Sequence, residues 1–254
     1  MRWPELAATL TLSLLLTACA GDGSTRAVVD TDAQEAAALQ VKLGRGYMDQ
    51  GDLETALERL QRALQLDPRS VDVNTLMGAL HERIRRPAKA ESYYRQAVRL
   101  APENGEVNNN LGAFLCGSGR YAEADNFFAT ALDDPFYRSA WSAMLNAGVC
   151  AQKAGNDARA EDYFRRVLDV RPTNATALYE LARMNYQRQD GLRARAFLQR
   201  LESSQPNDPS VLELGQKIES RFGTPEAARV YAERLRSEYP NYQGDTSLDG
   251  PNPT

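Results

Sequence analysis

Three cysteines and a single histidine carry most of the reactive chemistry in this chain of 254 residues. Cys19 closes the run Leu16-Thr17-Ala18-Cys19, after an uncharged apolar stretch that begins at Leu6. Small residues ahead of that thiol let the chain lie extended in a peptidase site. Cys116 and Cys150 remain, and an even pair in a secreted chain suits a disulfide. His81 stands alone. One imidazole serves no Ser/His/Asp set, and no CxxC pair, phosphate-cradling glycine loop or zinc spacing accompanies it. Carboxylates are plentiful but scattered along helix surfaces. These residues point to no enzyme, no metal and no cofactor.

The element that would present Cys19 is a signal peptide at residues 1–18. Leu6 to Ala18 has the length of a signal-peptide core and is too short to span a bilayer. Its Leu-Thr-Ala-Cys ending resembles a bacterial lipobox, which implies loss of residues 1–18 and a lipidated Cys19 inserted in membrane lipid. An ordinary signal peptide with a chance cysteine is the alternative. Ala20 follows. In Gram-negative lipoproteins an aspartate there marks retention at the inner membrane, so the resemblance implies the outer membrane, facing the periplasm. Residues 19–36 read as a flexible tether, because Gly21 to about Asp32 is small, polar and turn-rich.

The net charge is -4 with no long basic run, which argues against a nucleic-acid partner. Beyond residue 18 no stretch is apolar enough to cross a membrane.

The body of the chain repeats at a spacing of 34. Leu43-Gly44 recurs as Met77-Gly78 and Leu111-Gly112, slips by two to Ala147-Gly148, and resumes at Leu181-Ala182. Twelve residues after each small residue stand Ala56, Ala90, Ala124, Ala160 and Ala194. Pro68, Pro102, Pro172 and Pro206 follow twelve further on, with Pro135 beside the matching Phe136. Each unit therefore reads as a helix pair. Its small residue and its alanine let the two helices approach, and proline ends the second helix. A sixth unit keeps Ala228 and Pro240 but holds Gln216 at the small-residue place, with Gly215 one step early, and should pack less tightly. Tyr94, Phe128 and Phe164 share one phase of the second helices and read as packing residues.

This pattern resembles the tetratricopeptide repeat, six times over, across residues 37–242. The resemblance implies an all-α fold, a right-handed superhelical solenoid with a concave and a convex face. The polar segment 243–254 reads as a disordered tail.

Cys116 and Cys150 fall near the same level of adjacent first helices, so their sulfurs could meet and brace the joint Asp133-Asp134-Pro135-Phe136-Tyr137-Arg138, which holds two extra residues. Two unpaired buried thiols are the alternative. His81 falls at a packing phase and reads as a half-buried structural ring. Arg83, Arg85 and Arg86 form the one basic cluster, at a turn, able to dock an acidic partner or simply to be solvated. The concave face is lined by set first-helix positions: Val41, Arg45 and Met48, then Thr75, Asn109, Leu145, Val149, Tyr179 and Arg183. Apolar, amide and guanidinium groups mixed in this way suit capture of a peptide or helix. Alternatively, some of them pack between neighbouring first helices.

More specific residues are Asn109-Asn110-Leu111-Gly112-Ala113-Phe114-Leu115-Cys116, Gly119-Arg120-Tyr121-Ala122-Glu123-Ala124, Ala131-Leu132-Asp133-Asp134-Pro135-Phe136-Tyr137 and Asn146-Ala147-Gly148-Val149-Cys150. With the lipobox, they resemble the PilF/PilW family of type IV pilus assembly lipoproteins over nearly the whole chain. The resemblance implies a pilotin. It would bind the pilus secretin (PilQ-type) or another pilus assembly protein and help the secretin reach the outer membrane and form its ring. A periplasmic adaptor that docks cell-wall hydrolases or proteases shares the tether and the fold.

Overall fold

The computed structural model describes residues 23–205 and 208–244, with side chains from residue 31 onward. Residues 1–18, Cys19, Pro206 and most of the expected tail lie outside them. Among the described residues the chain forms twelve helices and no strand. They fall in two compact units, Met1–Pro68 and Arg69–Thr254.

The first unit holds α1 (Gly23–Gln50) and α2 (Leu53–Leu66) as one antiparallel pair. The second holds α3 (Val71–Arg83), α4 (Pro87–Leu100), α5 (Gly105–Gly117), α6 (Tyr121–Asp133), α7 (Ala140–Lys153), α8 (Asp157–Val170), α9 (Ala175–Gln187), α10 (Gly191–Glu202), α11 (Pro209–Phe222) and α12 (Pro225–Glu238). It is a solenoid of five helix pairs, each packed against the next.

One expectation needs correction. Helix α1 already begins at Gly23, so the segment read as a flexible tether to residue 36 is helical over most of its length. The run from Ala33 to Ala38 is built of Ala, Gln and Glu, strong helix formers that outweigh the turn residues before them. Ala37 is its first buried residue.

Helix starts are capped as their sequences dictate. Asp52, Ser70, Asn104, Asn156, Asn174, Asp190, Asp208 and Thr224 each accept a backbone N–H from the first turn with their side chain. Such a cap contributes about 1 kcal/mol. Asn108 is buried and its amide donates to the Pro102 and Asn104 carbonyls, both at 2.8 Å, which closes the joint between α4 and α5.

Where the small residue is glycine, it lies under a large side chain of the partner helix. A Cβ at Gly112 would stand 2.8 Å from Phe128, and one at Gly148 would stand 2.7 Å from Phe164. Both rings are fully buried, as are Ala56, Ala90, Ala124, Ala160 and Ala194. The sixth pair departs from the sequence expectation. Gly215 itself takes the close-approach place, where a Cβ would stand 2.5 Å from Tyr231. The whole contact is shifted by one residue. Ala228, at 9% exposure, is the only one of the six alanines not fully enclosed.

Every turn within the first five pairs needs one left-handed residue. Gly51, Gly119 and Gly155 supply it at φ 80°, 78° and 75°, but Arg85 (55°) and Gln189 (63°) supply it elsewhere. A side chain there costs roughly 1–2 kcal/mol, against about 0.5–1 kcal/mol for the added backbone freedom of glycine. Gln189→Gly should therefore stabilise the chain by about 0.5–1 kcal/mol, read as a higher urea midpoint at unchanged slope. A lower midpoint would contradict this origin of the turn.

Candidate partner-binding face

The joint between α6 and α7 has six residues where the joints before α5 and α9 have four. The extra length is tied down. Asp134 accepts the Gly105 N–H at 2.8 Å and, with its other oxygen, the Phe136 N–H at 2.9 Å. Tyr137 lies against Gly105, where a Cβ would stand 2.6 Å from it, and its hydroxyl meets Ser142 at 3.0 Å. Phe136 is left 88% exposed on this fixed loop.

Behind the joint, α5 packs directly on α7. Cys116 and Cys150 lie on these helices, both buried, with their Cα atoms 5.7 Å apart and their sulfurs in contact. That is the separation a disulfide spans. Apolar neighbours Leu111, Leu115, Phe128 and Ala147 surround the pair.

The nine residues assigned to the groove divide into three groups. Val41 and Met48 of the first unit are buried core residues, whereas Arg45 is exposed. Asn109 is also buried, so it does not lie on the open face. Its side-chain oxygen accepts from Asn146 at 3.0 Å, bridging α5 to α7. An unsatisfied buried amide would be costly, and this partner removes the cost. Leu145, Val149 and Tyr179 are half-buried, packed against the apolar cluster of α8 to α11 while keeping an open edge. Thr75 is half-buried too, and its hydroxyl returns to the Val71 carbonyl of its own helix at 2.9 Å.

Arg183 is not a free cation. Glu180 accepts its guanidinium at 2.7 Å and also accepts the Gln152 amide at 3.0 Å, linking α9 to α7. Glu180 was not singled out from the sequence, although its three-residue spacing from Arg183 on one helix was a legible signal. The face is thus a half-open apolar strip of Leu145, Val149 and Tyr179 beside a polar bridge. None of the nine residues lines the clefts of about 740, 290 and 430 Å³ found elsewhere on the second unit.

His81 is more buried than its half-buried expectation, at 2% exposure. Its ring stacks on Tyr93 at 5.4 Å, and Nδ1 is buried without a hydrogen-bond partner. Burial, then the nearby Lys89 and Arg86 charges, hold its pKa below the ordinary 6.5. The unfolded chain therefore binds this proton more readily than the folded one. Stability from His81 is complete above 6.5 and declines as pH falls through the lowered folded value. Thermal midpoints should drop from pH 7 towards pH 5.5, and His81→Phe should flatten that slope. An unchanged slope in the variant would assign it to the carboxylates instead.

Among the described residues no group of histidine, cysteine and carboxylate side chains could hold a metal ion. Several charged residues pair across neighbouring elements. Arg95 and Arg120 bind both Glu91 and Glu123, and Arg159 meets Asp125 at 2.8 Å.

Profiles of the tetratricopeptide repeat match residues 41–105, 85–147 and 151–218. The crystal structure of PilW, a widely conserved type IV pilus biogenesis factor, superposes at a TM-score of 0.76 with 31% identity, covering 82% of this chain and 95% of PilW. The chain is a tetratricopeptide-repeat protein of the PilF/PilW family. The structure of Pseudomonas aeruginosa PilF also superposes at a TM-score of 0.76, with 26% identity over 83% of this chain and 95% of PilF. By sequence, the type IV pilus assembly protein PilF of Pseudomonas aeruginosa is 27% identical over 90% of this chain and 91% of its own length. The PilF/PilW likeness reaches into both compact units.

Proposed function

We propose that this protein acts in type IV pilus biogenesis as a pilotin, without catalysing a reaction. The observation that carries this reading is similarity to PilW and PilF along nearly the whole length of each protein. In this reading Cys19 is acylated and anchors the chain in the outer membrane, facing the periplasm. The repeats bind the pilus secretin and promote its localisation and assembly into a ring. The strip of Leu145, Val149 and Tyr179 holds a secretin segment, and an oxidised Cys116–Cys150 pair keeps α5 and α7 in register beneath it.

The arrangement suits binding. Three apolar side chains on rigid helices offer contact area at little ordering cost, and the bridges through Asn109 and Glu180 fix their spacing. Leu145→Glu with Val149→Glu should weaken secretin capture by at least about 2 kcal/mol, roughly thirtyfold, since apolar anchors dominate such contacts. The check is pull-down of the detergent-solubilised secretin by the full chain, with helicity measured beside it. Equal capture by a folded double variant would remove the strip from the reading.

A further inference from the structure

We infer that the turn between α3 and α4 docks on an anionic phospholipid surface. Arg83, Arg85, Arg86 and Lys89 fall within seven residues there and are all exposed, on a chain whose net charge is -4. Arg85, Arg86 and Lys89 have no carboxylate partner among the described residues.

The next repeat shows how unusual this is. Arg120, at the N-cap of α6, stands where Arg86 stands at the N-cap of α4. Arg120 is neutralised by Glu91 and Glu123. At the place of Glu123 the earlier repeat carries Lys89, so the repeat's own ion pair is inverted into repulsion. The other second helices outside α6 start with Asp52, Asn156, Asp190 or Thr224, whose side chains cap the backbone, whereas Arg86 gives no side-chain cap. Its charge instead adds to the positive end of the helix. Arg85 in addition holds a left-handed conformation that glycine holds in three of the other turns. Three local preferences are broken at one place, and each break projects positive charge outward. Such coincidence marks a site where stability yields to function.

The charge selects the partner: four exposed cationic side chains within seven residues make one turn a cationic knob. A bilayer offers many mobile anions to such a knob, and each lysine or arginine near it is attracted within a Debye length. The inference rests on the proposed anchoring through Cys19, which keeps the domain at a membrane. A tethered acidic domain is repelled by an anionic surface except where this turn faces it, so the turn sets the orientation of the repeats.

The test uses the full chain purified from its own membranes and placed in vesicles. One set is phosphatidylcholine alone, the other equal parts phosphatidylcholine and phosphatidylglycerol. Amide hydrogen exchange at the turn should slow several-fold with phosphatidylglycerol. High salt should abolish the slowing, as should Arg85→Gln, Arg86→Gln and Lys89→Gln together. Glutamine already fills the equivalent left-handed place at Gln189, so this variant should fold. Equal exchange in both vesicle types, or slowing that survives in the triple variant, overturns the inference. So does slowing produced only by an added acidic protein. The mass of the N-terminal peptide reports acylation separately. An unmodified Cys19 with the slowing intact would remove the anchor and leave the docking turn standing.

Discussion

Replacing Phe164 by alanine is expected to lower the unfolding free energy by about 3–5 kcal/mol. The ring is fully buried, and it covers Gly148 so closely that a Cβ there would stand 2.7 Å away. Removing it opens a cavity against Gly148 that neighbours such as Leu178 and Leu181, held in their own helix, can fill only in part. The converse change, Gly148→Leu, should cost at least about 1–3 kcal/mol, because the added side chain has to displace the ring. Phe136→Ala is the control. That residue is 88% exposed, and the change should stay within about 0.5 kcal/mol. Denaturant unfolding by circular dichroism gives all three values. Equal effects at Phe164 and Phe136 would show that helix pairing does not depend on the glycine and ring contact.

The second large effect is expected at the cysteine pair. Cys116→Ala with Cys150→Ala should lower stability by about 3–4 kcal/mol relative to the oxidised protein, the chain-entropy value for a loop of this length. The closed loop contains α6, the long joint and most of α7, so the loss should concentrate there. Amide exchange should rise in α5 to α7 and much less in α10 to α12, because repeats couple mainly to their neighbours. Reductant should reproduce the effect in the wild-type chain and leave the double variant unchanged. Identical unfolding of wild type with and without reductant would show that the thiols are not joined.

How much of this was legible in the sequence follows from the range of each interaction. Contacts within a helix pair recur at fixed spacing, so the close approach of Gly112 to Phe128 and of Gly148 to Phe164 could be read directly. Between pairs only the meeting of Cys116 with Cys150 could be read, because both fall near one level of adjacent first helices; the polar contacts could not. Asn109 was assigned to the open face because its register places it there, but its partner Asn146 lies 37 residues away, across the irregular joint. Arg183 was assigned to the concave face, and its neutralisation depends on Glu180, which also reaches back to α7. The sixth pair was misread by one residue because its glycine shifts with its ring, which keeps the contact while breaking the count. The inverted charge at Lys89 was present in the sequence throughout. It becomes visible only when the turn is compared with the neutralised Arg120 of the next repeat.

Deleting the gene and following the pilus secretin on gels that preserve its heat-resistant multimers, with surface pili counted in the same cells, tests the pilotin role most directly. Multimers and pili should both be lost. The wild-type chain should restore them, and Cys19→Ala should restore them only in part. Unchanged multimers and pili would contradict a pilotin, and an adaptor for cell-wall hydrolases would take its place.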